Sequence, residues 1–518
     1  MRRTYRWRYV PGTNVSLLSE SGALLPNEFT FPPVFLSTEE IRLRVSRAAK
    51  RGRVRRIGPR LYSTNVSDEP AAVIRRNLWE VVGLLFPDTV VGYRTALEGK
   101  PSPEDTVNVV GGYDRMLELP GLTVRQIKGP GPLAGDTRFM GHLWLASRAR
   151  AFLESLRPSR ATAAGARGLP RQEIERRVDR MIRISGEGEV NAFRDQARAI
   201  APELEAEEEF RALNDIIGAV LGSQAGPLTS PTAIARAAGE PYDADRLDRF
   251  QTLHAALLAW VETPRPASSV SAAAFQNGAF VDAYFSNYIE GTEFGVDEAV
   301  EIVFEGRIPE RRPADAHDVL GTYRIVSSRD EMEMSVADPR RDFDDFVRVL
   351  RRRHEVIMAA RPDRNPGQFK VQANFAGDTA FVDPDLVIGT LRRGFELLRS
   401  LQSPFARAAF MMFLVSEVHP FTDGNGRIAR IMTNAELITE AQHRIVIPTV
   451  YREDYLIALR ALTRRGRTDS FLRMLDRAQE LVSRIDFHDL DDALNVLRQA
   501  NAFADPSEAR LILPDKTP

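Results

Sequence analysis

Cysteine is absent from all 518 residues, tryptophan occurs four times and histidine seven. The first absence removes disulfides, thiolate metal sites and cysteine nucleophiles together, and it fits a reducing compartment. Scarce histidine makes each one worth weighing as an acid–base group. No stretch approaches the roughly 20 apolar residues that a membrane helix needs. The basic start, MRRTYRWRYVPG, has no apolar run behind it to serve as a secretion signal. A soluble, cytoplasmic protein with no membrane partner is expected. Neither sign of charge dominates, since 70 Lys and Arg face 71 Asp and Glu, so asymmetry has to be sought segment by segment. The remaining composition, 43% hydrophobic and 27% charged, is that of a globular protein. The length exceeds one core and predicts about three domains.

Charge is most lopsided in STEEIRLRVSRAAKRGRVRRIGPRLYS, residues 37–63. Ser37 and Glu40 have capping-box spacing, Ile41, Val45 and Ala48 recur at helical spacing, and Gly52 can end the helix. Two short strands, RVRRI and RLYS, follow on either side of a Gly58-Pro59 turn. Helix plus ribbon predicts a winged helix. Positions 41–60 hold nine basic residues and no acid. Arg42, Arg44, Arg47, Lys50, Arg51, Arg53, Arg55 and Arg56 are the candidate contacts to the phosphates of double-stranded DNA, with salt-sensitive affinity. A solvated basic face is the plainer alternative. The stretches GRVRRIGPRLYSTN, VVGYRTALEG and HLWLASRARAFLESL make residues 35–160 resemble the winged-helix domain of AbiEi-type antitoxins. Pro59-Arg60 stands where that family has Gly before Leu-Tyr.

RPSRATAAGARGLP, residues 157–170, reads as a linker. Helical spacing resumes at Ile174, Val178, Met181 and Ile182 and again at Phe210, Leu213, Ile216, Ile217 and Val220. A second break, TPRPASSVS, spans 263–271.

The chemistry concentrates in HPFTDGNGRIAR, residues 419–430. SPFARAAFMMFLVSEV before it is apolar on nearly every side and predicts a buried helix. Ile428, Ile431, Met432, Ala435 and Ile438 after it predict another. Asp-Gly and Asn-Gly are hairpin signals, but these flanks are helical, so the loop is a helix N-terminus with unpaired amides that bind anions. Arg427 and Arg430, three apart, share a face and are expected to converge on one polyphosphate. Asp423 is a hard oxygen ligand suited to Mg²⁺, and His419 suits a general base.

At every defined position this stretch is similar to the motif of the Fic family, His-x-Phe-x-Asp/Glu-Gly-Asn-Gly-Arg-x-x-Arg. The resemblance extends over about 272–470 and implies transfer of AMP from ATP to a Ser, Thr or Tyr hydroxyl of a target protein. It implies His419 as base, Asp423 as ligand of Mg²⁺ or Mn²⁺, Gly424, Asn425 and Gly426 as anion hole, and Arg427 and Arg430 on the β- and γ-phosphates. Asn434 and Tyr455 match positions that contact the nucleotide in some relatives, Phe421 reads as a core anchor, and Lys370 stands where the family often has Arg. NPGQFKVQANFAGDTAFVDP, 365–384, alternates about a Gly377-Asp378 turn and predicts a β-hairpin, the flap that positions the target in this family.

SNYIEGTEF ends a helical run and places Glu290 near the negative end of the helix dipole, where it needs a cation. It resembles the family's inhibitory motif, Ser/Thr-x-x-x-Glu-Gly/Asn, which implies that Glu290 pairs with Arg430, helped by Ser286, and keeps the γ-phosphate from its productive seat. Gly426 stands where relatives that transfer phosphate have Lys, which favours AMP transfer.

The expected architecture is mainly α: an N-terminal α+β winged-helix domain (1–165), a helical connector (166–265), an all-helical Fic core (266–480) with the inhibitory helix 272–290 and the flap 365–384, and a C-terminal helix and tail (481–518). The expected function is an autoinhibited AMP transferase fused to a DNA-binding domain, in the manner of a toxin joined to its transcriptional control. Two other functions fit the same residues: a DNA-binding regulator whose Fic unit senses nucleotide, and a Fic enzyme that removes AMP or transfers another nucleotidyl group. A homodimer is left open.

Overall fold

A computed structural model describes residues 30–158, 167–267, 271–335, 338, 340–377 and 379–515. The basic start, parts of both interdomain breaks and Asp378 of the flap turn lie outside the described residues. The chain is mainly helical and divides into two compact units, 1–230 and 231–518. Among the described residues no helix is long and apolar enough to cross a membrane.

In the first unit the helix Arg42–Lys50 buries Val45 and Ala48 and stops ahead of Gly52, whose φ is +67°. The Ser37/Glu40 capping box is not formed: Ile41 is the N-cap and supplies no side-chain bond. Ser37 is instead tied to the sheet by its amide, which donates to the Arg60 carbonyl at 2.8 Å. The expected ribbon is present as Arg55–Gly58 and Leu61–Ser63, turning at Pro59 and Arg60. An unforeseen strand, Val34–Leu36, adds to it, leaving Leu61–Ser63 in the middle of an antiparallel sheet. A second, six-stranded mixed sheet was not expected. Its central strand, Thr106–Gly111, is rich in β-branched residues and buried on both faces, and it runs parallel to Leu122–Lys128. The helices Arg171–Ile200, interrupted at Gly186, and Glu207–Val220 pack together as the sequence spacing requires.

The second unit is built around the helix Pro404–Val418, which is buried along nearly its whole length and packs on Asn425–Thr439. Ala244–Leu258, Pro313–Val326, Phe343–Ile357 and Val387–Ser400 surround this pair. The helix Ala272–Ile289 lies between two apolar clusters. It gives Phe275, Ala279, Ala283 and Ile289 to the main core, and Phe280, Val281, Tyr284 and Phe285 to a second cluster shared with Leu490–Gln499. Each buried aromatic contributes about 1.5–3 kcal/mol, so the helix is clamped from both sides. The flap hairpin is shorter than expected: only Phe375–Ala376 and Thr379–Ala380 pair. The residues before it are anchored rather than paired, since the Gly367 amide donates to His354 Nδ1 and the Lys370 amide to the Pro420 carbonyl, each at 2.9 Å.

Candidate active site

The loop 419–424 is the link between the two central helices, and its geometry follows from how each helix ends. Pro404–Val418 stops because His419 adopts the left-handed conformation (φ 53°, ψ 58°). Asn425–Thr439 starts after Gly424, also left-handed at φ 73°. There a Cβ would lie 2.7 Å from Met358 Sδ, so only glycine fits. Asn425 closes the loop. Its Oδ1 accepts the Phe421 amide and its Nδ2 donates to the Phe421 carbonyl, both at 2.9 Å. Its side chain is therefore a staple, and its backbone amide, with that of Gly426, is what remains for an anion. Phe421 is fully buried, as an anchor should be.

His419 Nδ1 lies 3.1 Å from the Ser416 carbonyl, which assigns the proton to Nδ1 and leaves the Nε2 lone pair able to accept one. Phe381 of the flap stacks on the imidazole with centroids 3.7 Å apart and planes 5° from parallel. Burial, helped by the nearby Lys370 charge, pushes the His419 pKa down to about 4, so the ring is neutral at pH 7. Burial likewise lowers Lys370 to about 8; its Nζ donates to Asn374 Oδ1 at 2.7 Å.

Asp423 is half-buried at the helix mouth, where its Oδ1 accepts the Gly424 amide at 2.7 Å. Among the described residues no group of three metal-ligating side chains occurs. A single carboxylate beside an anion-binding helix end nonetheless fits Mg²⁺, which takes one or two carboxylates and completes its shell with phosphate oxygens and water.

Arg430 is buried and turned toward Ala272–Ile289. Its Nε donates to Ser286 Oγ at 2.9 Å, and its Nη2 donates to the Ser286 carbonyl at 2.8 Å and to Glu290 Oε1 at 2.7 Å. Glu290 is the C-cap of that helix. Its carboxylate also overlies the mouth of the next: a methyl on Gly426 would lie 2.0 Å from Glu290 Oε1. A carboxylate thus sits where the helix amides would hold a phosphate. Arg427 does not converge with Arg430. Its Nη1 pairs with buried Asp318 at 2.8 Å, and Asp318 also accepts from Arg361 Nε at 2.8 Å. The two side chains leave one helix face in different directions because each has its own acid, buried Asp318 for Arg427 and the exposed Glu290 for Arg430. Asn434 is equally committed, bonded to Asp282 and to both backbone groups of Ile445. Tyr455 is buried beside Met412, and burial raises its pKa.

Sequence reasoning missed His354. Its Nδ1 accepts the Gly367 amide, so Nε2 carries the proton and donates to the Asp423 carbonyl at 2.9 Å, while the ring stacks on Phe421 at 3.6 Å. Burial lowers its pKa to about 4. Histidine scarcity was the available signal. Asp318, Met358 and Phe381 carried none.

Residues 345–437 match the Fic/DOC family. A Fido domain-containing protein of Dictyostelium discoideum is 31% identical over 117 residues, which cover 82% of that protein and 21% of this chain. The chain belongs to the Fic/DOC family. Its Fic region is also similar to protein adenylyltransferase fic-1 of Caenorhabditis elegans, 24% identical over 185 residues. That match covers 35% of this chain and 36% of the nematode protein, so the chain spans little more than a third of that relative's length. A solved structure of Fic-1 from C. elegans, at 18% identity and a TM-score of 0.33, covers 59% of this chain and 96% of that one.

Proposed function

We propose that the protein is an autoinhibited AMP transferase acting on a protein hydroxyl, with a DNA-binding N-terminal unit. The observation that carries the first part is the Glu290 carboxylate, bonded to Arg430 and seated over Gly426 in the mouth of the anion-binding helix. In the released state ATP lays its phosphates on the amides of Gly424, Asn425 and Gly426, and Arg430 is free to meet the γ-phosphate. His419 Nε2 takes the proton of a Ser, Thr or Tyr hydroxyl, which is worth about 10²- to 10⁴-fold in rate. The hydroxyl oxygen bonds to the α-phosphorus, the bond from that phosphorus to the bridging oxygen breaks, and pyrophosphate leaves. Asp423 would hold Mg²⁺ or Mn²⁺, which would neutralise phosphate charge. Arg427, held by Asp318, fixes the first turn of the motif helix; reaching a phosphate requires that pair to open. Asn434, farther along the same helix, ties it to Asp282 and Ile445, and Tyr455 is buried beside Met412 of the preceding helix.

The DNA-binding part rests on exposure. Arg42, Arg44, Arg47, Lys50, Arg51, Arg53 and Arg56 all face solvent on one helix, the turn after it and the ribbon, and Arg55 is half-buried against the Asp68 carbonyl.

The test is direct. Purified wild type, Glu290→Gly and His419→Ala are incubated with ATP labelled on the α-phosphate. Glu290→Gly is expected to label itself or lysate proteins strongly and the wild type weakly. Labelling by Glu290→Gly no greater than by His419→Ala would refute the transferase assignment.

A further inference from the structure

We infer that the hydroxyl this enzyme modifies lies next to acidic residues of its target, a substrate preference that rests on the proposed AMP transfer. The target's hydroxyl has to reach His419 Nε2, and the helix that ends against the flap covering that base carries a cluster of arginines. The helix Arg452–Arg465 ends against the flap, where Arg464 donates to Thr379 Oγ1 at 2.9 Å. Two residues farther along the flap, Phe381 covers the His419 ring. Arg460 is one helical turn before Arg464 and shares its face, and Arg465 and Arg467 follow around the left-handed Gly466. All four arginines are exposed, and among the described residues none is in an ion pair.

The acid nearest to this cluster in the hydrogen-bond network is Glu417, and it is already engaged. It is buried, pairs with Arg246, lies 4.0 Å from Arg249 and accepts from Thr463 Oγ1 at 2.6 Å. Arg246 also reaches the Ala380 carbonyl, so the flap strand is held by arginine from both sides. Asp245 and Asp248 are exposed on the helix Ala244–Leu258, and they are too few to balance the cluster. Helix dipoles favour cations in a last turn, but that accounts for Arg464 and Arg465 and not for Arg467 beyond the cap. A peptide laid from the base along the flap advances about 3.3 Å per residue. Its side chains two to four positions from the hydroxyl are then directed toward Arg464, which touches the flap, and the arginines grouped with it. Aspartate or glutamate there pairs with guanidinium groups that, among the described residues, no acid of this chain engages in an ion pair.

The experiment uses the full-length Glu290→Gly enzyme, α-labelled ATP and three sets of synthetic peptides sharing a central Ser, Thr or Tyr with neutral, acidic or basic flanks. Acidic flanks are expected to raise kcat/KM about ten-fold over neutral ones, and to lose that gain as salt rises. A second enzyme carrying Arg460→Glu, Arg465→Glu and Arg467→Glu, which keeps the Arg464 bond to Thr379 of the flap, is expected to prefer the basic set while its Tm stays near that of the parent. Active enzyme that labels the three sets equally, or a charge-reversed enzyme with an unchanged preference, overturns the inference and leaves the transferase assignment standing. If charge reversal abolishes binding of a random DNA duplex and leaves peptide preference unchanged, the patch serves nucleic acid and the inference is likewise wrong. Absence of any label from Glu290→Gly, on peptides and on itself, removes the transferase and the inference together.

Discussion

Arg430 donates to three oxygens, all of them on Ser286 or Glu290. Removing the Ser286 hydroxyl leaves two of the three, so Ser286→Ala should weaken the latch by about 1 kcal/mol. Basal self-labelling is then expected to rise about five-fold, between wild type and Glu290→Gly on the same gel. His354 acts on the site through the backbone, by orienting the Asp423 carbonyl and bracing Phe421. In the Glu290→Gly background, His354→Ala is expected to lower kcat/KM for ATP by about 10- to 100-fold, as loss of an outer-shell partner does. His354→Gln, which keeps an N–H donor, should recover part of it. Both of these histidines also set a pH dependence. Their folded pKa values, about 4, lie below the ordinary 6.5, so the unfolded chain binds more protons between these limits. Stability is therefore full above about pH 6.5 and falls as pH drops toward 4. Thermal melts of wild type across this range should show a falling Tm, and His354→Gln should flatten the slope.

The two helices meeting at 419–425 make glycine the natural target for substitution at the level of the element. Gly424→Ala places a methyl against Met358 in a left-handed turn, and is expected to cost about 1–3 kcal/mol, read as a lower Tm with activity lost. Gly426→Ala separates latch from seat. The methyl collides with Glu290 and dislodges it, yet it also fills the phosphate position. This variant is therefore expected to lose the Arg430 pairing without gaining AMP transfer. These elements were legible because their sequence signals are long: fifteen residues of helical spacing on each side of the loop, and a motif with every position defined. The Ser37 cap rested on a four-residue pattern, and the flap on an alternation that does not specify how far its two arms pair. There a single backbone bond, Lys370 to Pro420 or Ser37 to Arg60, decides the outcome. The convergence of Arg427 and Arg430 failed for a related reason. Helix spacing fixes where side chains start, and buried Asp318, distant in sequence, fixes where one of them ends.

For the molecule as a whole, the six-stranded sheet was invisible in the sequence because three of its strands are two residues long and it mixes parallel with antiparallel pairing. The basic helix and ribbon beside it were visible, since charge needs no fold to be read. The full chain carrying His419→Ala should bind a DNA duplex with an affinity that falls linearly in log–log against salt. Arg47→Glu with Arg51→Glu should shallow that slope by about one unit per lost phosphate contact. A slope unaffected by the pair would remove these residues from any DNA interface. The clamping of Ala272–Ile289 between two apolar clusters bears on how such a molecule is turned on. Drawing the helix out would expose Phe275, Phe280 and Phe285 together, at about 1.5–3 kcal/mol each, which is comparable with the stability of a domain. Under the proposed autoinhibition, activation is then a local unfastening of the last turn, Ser286–Glu290, and a signal would be delivered to that turn rather than to the helix as a rigid lever.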